Sequence, residues 1–249
     1  MSDDTSHMDA LSIAAASGMR ARLESLDMLA NNLANAATAG FKGDREFYNL
    51  YISAEARMWP SPSVLPVIEK QWTDFAPGAL TPTGNPLDLA VRGRGFFVVD
   101  SPGGPLYTRN GHFRLAADGR LVSEEGYRLR LVGGGSVQAT PGEAIEVTPE
   151  GEVKQAGAVL GRIEIVDFTN LAALVKRPGG YFAAPSETPQ PAAGYEIRQG
   201  HLESSNVNPA EAAVRLVSVM RQFEMLQRAI TLGSEMNRRA VEEVAKVGS

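Results

Sequence analysis

The residues able to do chemistry are few and scattered. The three histidines, His7, His112 and His201, stand far apart, and none has a second histidine or an acid at metal-ligand spacing. A metal site is not expected. Ser204, near His201, lies in a polar stretch ahead of a helix and not in a G-x-S-x-G elbow. Gly93-Arg94-Gly95 lacks the third glycine of a phosphate-cradling loop and falls between strand-like runs, so it reads as a turn or bulge. Glu124 with Glu125, or Glu143 with Glu146, could in principle face a groove as general acid and base. Glu124-Glu125-Gly126 is more economically a hairpin tip. Cysteine is absent, which excludes disulfides, thiolate nucleophiles and cysteine-bound metals. No catalytic constellation assembles and no cofactor is called for.

Composition narrows the partners. A formal net charge of −5 over 249 residues, with no lysine or arginine cluster, argues against nucleic acid and against a membrane surface. No run approaches the ~18–20 apolar residues that span a bilayer, so direct membrane insertion is not expected. Asp3 and Asp4 stand where a secretory signal would be positive, and Arg20 and Arg22 interrupt any apolar core. The composition is that of a cytosolic protein, or of one exported without a cleaved signal.

The elements that organise the chain lie at its two ends. In the C-terminal stretch Asn208 is a good helix N-cap, Pro209 suits the first helical position, and Glu211 stands three residues after the cap. No proline follows. Leu216, Met220, Phe223, Leu226, Ile230, Val241 and Val244 recur at helical steps and draw an apolar stripe. At ~1.5 Å per residue this helix is a rod of about 55 Å, too long for the core of a small β domain. The stripe needs another helix, and the only candidate in the chain carries Leu11, Ala15, Met19, Leu26, Ala30 and Leu33 on one face. Glycine at 233 weakens helix continuity by roughly 1 kcal/mol relative to alanine.

Between the ends the texture changes twice. In ANNLANAATAGFK (30–42) small residues and asparagines end the first helix. Residues 41–83 hold both tryptophans, Trp59 and Trp72, with several prolines, and their apolar spacing fits neither period; this reads as an extended connector. From Gly84 short strand-like runs follow at eight- to twelve-residue spacing, with Asn110-Gly111 and Asp118-Gly119 as hairpin turns. Strands are expected at 87–91, 96–100, 106–109, 112–116, 120–123, 127–132, 145–148, 152–155, 159–168, 181–184 and 195–199. Asn170 or Thr169 could cap a short helix through Arg177. The expected fold is α+β: terminal helices paired as a coiled-coil-like hairpin around an inserted, mainly antiparallel β domain, a sandwich or open barrel. Its boundaries are an unordered extension at 1–7, the N-terminal helix at 8–40, the connector at 41–83, the β domain at 84–205 and the C-terminal helix at 206–249.

Four strings, ANNLANAATAGFK (30–42), GNPLDLAVRGRGFFVVD (84–100), YTRNGHFRLAADGRLVSEEGY (107–127) and LESSNVNPAEAAVRLVSVMRQFEM (202–225), resemble in order those of the bacterial flagellar axial family, the rod and hook proteins. The length, NPLDLAV, the text at 159–168 and RQFEM look most like the rod proteins, proximal first and distal second. Hook proteins usually carry further outer domains.

The resemblance implies a non-enzymatic building block of the basal-body rod. Such subunits pass unfolded through the flagellar type III export machinery, and they polymerise helically in the periplasm with copies of themselves and other rod proteins. The terminal helices would form an inner coiled-coil layer with the β domain outside. Residues expected to serve assembly are Asn31, Asn32, Asn35, Gly40 and Phe41 at the N-terminal motif, and Asn206, Asn208, Arg221, Phe223 and Glu224 at the C-terminal one. Phe223 has an equal claim as hairpin core, and Arg221 with Glu224 could be a solvated pair. Pro209, Ala212-Ala213 and Gly233-Ser234 depart from the family pattern. An all-β ligand- or carbohydrate-binding module with helical flanks, and an unrecognised enzyme, are the alternatives.

Overall fold

A computed structural model describes residues 3–51 and 65–247 of the chain. It divides into two compact units. Trp59, the first two residues of the expected extension and the last two residues of the C-terminal stretch lie outside the described residues.

The first unit holds α1 (Asp3–Ala34), a pair of hydrogen-bonded strands (Asp44–Tyr51 and Leu65–Thr73) and α2 (Pro209–Val247). α2 begins at Pro209, whose missing N–H needs no partner at that position, and Glu211 in the first turn suits the positive end of the helix dipole. Glycine 233 does not interrupt it. On α1 the buried positions Gly18, Ala21, Ser25, Met28 and Asn32 step by three and four. On α2 the buried and half-buried positions Ala212, Leu216, Val219, Phe223, Leu226 and Ile230 do the same. Met28, Leu29 and Val219 form one apolar cluster, with Leu26 and Leu216 against it.

The seam differs in detail from the expected stripes. Ala30 is exposed and Met19, Leu26 and Leu33 are half-buried, while the smaller Gly18, Ala21 and Ser25 take the buried positions. An alanine methyl built at Gly18 would stand 4.0 Å from Leu226 Cδ1, so small residues occupy the places where the two helices come close. Met220 is 46% exposed and Val219 is buried in its stead. The side chains of Leu11, Ala15, Val241 and Val244 lie outside the described ones.

The second unit is residues 35–43 and 73–208. Every strand pairing described in it is antiparallel. Its largest sheet runs in the order 175–177, 181–183, 104–108, 96–101, 128–129, 121–122, 114–115. Strand 165–167 also pairs with 96–101 and with 190–191. Smaller sheets join 145–147, 152–155 and 158–162, then 89–92 with 196–199, and 80–82 with 201–203. The apolar run Phe96–Val99 explains the central position of its strand, since both of its faces are covered. Phe97 and Val99 face a core with Phe113, Leu121, Leu129 and Ile163, whereas Phe96 and Val98 face a second core with Tyr107, Phe168 and Phe182.

Several expectations are corrected. α1 ends at Ala34, not at 40, because Asn35 opens a turn in which it accepts from the Thr38 backbone N–H at 3.1 Å. Residues 3–7 of the expected unordered extension belong to α1. The stretch read as a connector contains the strand pair 44–51 and 65–73 and the strand 80–82. Asp118-Gly119 turns a hairpin as expected, with the Ala116 N–H bonded to the Arg120 carbonyl. Asn110-Gly111 does not: strands 104–108 and 114–115 are not neighbours. Gly111 instead lets the Leu89 carbonyl approach, and a Cβ there would stand 1.6 Å from that oxygen. Asn170 caps only the single turn Leu171–Ala173, after which 175–177 is a strand.

Candidate functional site

The two strings nearest the helices meet inside the second unit. After the Asn35 turn the chain passes through Gly40, whose φ is +66°. A Cβ at Gly40 would lie 2.2 Å from the Asn110 backbone nitrogen, so only glycine fits. The Gly40 N–H donates to the Glu203 carbonyl at 2.6 Å. Phe41 is buried at 3% exposure, with the Lys176 ammonium 4.1 Å from the centre of its ring. Lys176 also donates to the Lys42 carbonyl at 2.7 Å.

Lys42 and Glu203 form the centre of this joint. The Lys42 ammonium donates to Glu203 Oε1 at 2.5 Å and to the Ala76 carbonyl at 2.8 Å. Glu203 Oε1 also accepts from the Gly78 N–H at 2.9 Å, and Oε2 accepts from Arg109 at 3.3 Å. Arg109 continues to the Val91 and Gly93 carbonyls at 2.9 and 2.7 Å, and its guanidinium lies 5.4 Å from the centre of the Phe96 ring. Burial pushes the Lys42 and Arg109 pKa values down, and the Glu203 carboxylate opposes that shift in both. A buried carboxylate between two buried cations stands in low dielectric only because each is hydrogen-bonded.

Asn206 closes the joint from the C-terminal side. Its Oδ1 accepts from the Gly43 N–H at 2.8 Å, and its Nδ2 donates to the Asp74 and Ala76 carbonyls at 2.7 and 3.1 Å. Its backbone N–H reaches the Phe41 carbonyl. One side-chain amide thereby serves both passes of the chain.

Of the residues singled out from sequence, the structure brings Asn35, Gly40, Phe41 and Asn206 into the second unit beside this joint. Asn32 is buried in the first unit, where its amide exchanges hydrogen bonds of 2.7 and 2.9 Å with the Asp44 backbone. Asn31 is exposed on α1 and Asn208 precedes α2. Arg221 and Glu224 are exposed on α2; Glu224 pairs with Arg228 at 3.9 Å rather than with Arg221. Phe223 belongs to the seam. The residues missed are Lys42, Arg109 and Glu203. Their signal was a charge of each sign set among apolar and glycine neighbours within the quoted strings.

The other candidate chemistry does not converge. His112 Nδ1 lies 2.7 Å from Asp88 Oδ1, and His201 Nδ1 lies 2.9 Å from the Gln199 carbonyl. Glu124-Glu125 occupies a turn closed by the Ser123 N–H on the Tyr127 carbonyl. Among the described residues no group of three histidine or acidic side chains could hold a metal ion, and no helix is long and apolar enough to cross a membrane.

Long helices at both ends, an antiparallel β unit between them, and a charged joint sealed from solvent define a structural building block. Comparison with known proteins gives that class its family. Three family descriptions match in order: "Flagella basal body rod protein" over 14–42, "Flagellar hook protein FlgE/F/G D1 domain" over 90–159, and "Flagellar basal body rod FlgEFG protein C-terminal" over 198–243. The chain is 33% identical over 226 residues to the flagellar basal-body rod protein FlgF of Caulobacter vibrioides, covering 89% of this chain and 92% of the relative. It is 33% identical over 203 residues to FlgF of Mesorhizobium japonicum, covering 80% and 83%. To the rod protein FlgG of Agrobacterium fabrum it is 31% identical over 268 residues, covering 92% and 97%. The chain belongs to the flagellar basal-body rod protein family.

Proposed function

We propose that this chain is a structural subunit of the flagellar rod, most like the FlgF proteins, and that its terminal helices carry its assembly with copies of itself and with other rod proteins. It passes the export machinery unfolded and takes its place in the periplasmic part of the basal body. The three-four spacing of the seam supports a coiled-coil pairing of α1 with α2. Asn31, Asn35, Asn208, Arg221 and Glu224 remain its assembly residues, while Asn32, Gly40, Phe41 and Asn206 hold the segments that bear the helices.

The observation that carries this reading is a second apolar stripe on α2. Val214, Val217, Met225, Leu232 and Met236 are 71%, 48%, 60%, 60% and 70% exposed. At about 100° per residue they project from one side of the helix, and the seam residues project from the opposite side. A helix apolar on two faces needs two helical neighbours, and α1 supplies one. Arg221 lies within the second stripe and lines a shallow groove with Val214, Val217 and Met225.

Complementation of a gene-deletion strain tests this. Val217→Lys and Met225→Glu change exposed side chains and are expected to leave the urea melt of the purified chain unaltered. Each is expected to abolish motility and to be absent from isolated basal bodies. Motile cells with either variant in the rod would overturn the assignment of this stripe.

A further inference from the structure

Register places a row of residues on one face of the large sheet, the face turned away from the Phe97 and Val99 core. Asp100 opposes Arg128, Arg128 opposes Val122, and Val122 opposes Arg114. Directly opposed residues share a face, so the four stand side by side across four strands. Val99, Leu129 and Leu121, each one residue away, turn the other way into the core. Strands lie ~4.8 Å apart, so Arg114 and Arg128 are rooted about 10 Å from each other with Val122 between them. Arg120, two residues before Val122, joins the same face. These residues and Tyr127 line an open cleft of about 500 Å³.

The charges in the cleft are unequally engaged. Asp100 accepts from the Arg130 guanidinium, its Nε at 2.8 Å. Asp118 lies 3.4 Å from Arg120 Nη1. Glu125 accepts from the Tyr181 hydroxyl and, at 3.1 Å, from Ser123 Oγ. Arg114 and Arg128 have no acidic partner among the described residues. The Arg120 Nε is buried and has no hydrogen-bond partner there, the one side-chain atom of which this holds among the described residues.

We propose that this cleft binds an acidic, extended peptide segment of a neighbouring protein. Guanidinium forks match carboxylates in a planar, two-pronged geometry. In an extended segment, acidic side chains two residues apart project to the same side about 7 Å from each other. They reach Arg114 and Arg128 together, and an apolar side chain of the segment covers the half-buried Tyr127, with Val122 already buried beneath. The site lies on the β unit and is independent of the helix-borne assembly proposed above.

The test is fluorescence anisotropy of a labelled Glu-Val-Glu-Val-Glu peptide against the full chain at low salt. Saturable binding is expected, weakened at least tenfold in the Arg114→Gln/Arg128→Gln double variant. Arg92→Gln, on a strand that lines no part of the cleft, is expected to bind as the parent does. Arg114→Lys/Arg128→Lys keeps the charge and loses the fork, and is expected to bind with intermediate strength. Unaltered urea melts of the variants establish that they fold. No saturable binding, or equal binding by the double glutamine variant, would overturn the proposal. So would displacement of the peptide by inorganic phosphate beyond that by sodium chloride at equal ionic strength, because the site would then take simple anions.

Discussion

The Lys42 ammonium stands 2.5 Å from Glu203 Oε1 although the residues are 161 positions apart and both side chains are 1% exposed. Lys42 lies eight residues after the end of α1, and Glu203 lies six before the start of α2. The pair therefore ties together the two passes of chain that lead to the terminal helices. A buried ion pair with its hydrogen bonds satisfied fixes those passes in one arrangement.

Removing one member of a buried pair leaves the others uncompensated, at a cost of about 3–5 kcal/mol. Glu203→Ala strands both Lys42 and Arg109, and is expected to lower stability by that amount in urea melts. Lys42→Met leaves Glu203 still bonded to Arg109 and Gly78, so its loss should be smaller. The double variant should show a coupling of about 1–3 kcal/mol. Additive losses would mean that the two side chains do not depend on each other.

Gly40 and Gly84 both have positive φ, +66° and +74°, but their surroundings differ. An alanine Cβ at Gly84 meets nothing within 4 Å, whereas at Gly40 it meets the Asn110 nitrogen at 2.2 Å. Gly84→Ala should cost only the left-handed backbone penalty, about 1–2 kcal/mol. Gly40→Ala must also displace backbone, and its denaturation midpoint should fall well below that of Gly84→Ala. Equal midpoints would show that the joint yields without strain.

Much of this was legible before the structure, for identifiable reasons. The α2 boundary could be read because Asn208, Pro209 and Glu211 are local signals. The strand at 96–100 could be read from its apolar run, and the structure adds that both faces of Phe96–Val99 are covered. The helix seam was harder: large residues such as Met19 and Met220 drew the eye, whereas close helices select small ones such as Gly18 and Ala21. The joint was illegible in its chemistry, because nothing local marks Lys42 and Glu203 as partners. Asn110-Gly111 misled for the opposite reason, since its glycine serves a close backbone approach rather than the hairpin turn its sequence suggests.

The Tyr181 hydroxyl, bonded to Glu125, supplies a pH dependence. Burial first, and the hydrogen bond to Glu125 second, raise its pKa above the usual 10.0. The folded chain then holds the phenol proton more tightly than the unfolded chain does. That stability is fully present below pH 10 and is lost as pH rises through the folded value. Lys42 acts with the opposite sign: burial lowers its pKa from 10.5, so its contribution improves as pH rises toward that value. Tyr181→Phe separates the two. It should lose about 1.5–3 kcal/mol at pH 8, the worth of a hydrogen bond to a charged group. The gap from the parent should narrow between pH 10 and 11 in urea melts. A constant gap would exclude the phenol as the titrating group.

Gly233 lies within α2 at a place where a Cβ would meet nothing within 4 Å. Its backbone is helical and not left-handed, so alanine fits without strain. Glycine in a helix costs roughly 1 kcal/mol relative to alanine, because its unfolded backbone has more freedom to lose. Gly233→Ala is therefore expected to stabilise α2 by about that much. Amide exchange through residues 225–240 should slow about fivefold, which is 1 kcal/mol expressed as an opening equilibrium. The second unit has no part in this helix, and its exchange should not change. Faster exchange in α2 would mean that the glycine relieves a helix contact, and the helix would then owe its continuity to packing rather than to propensity.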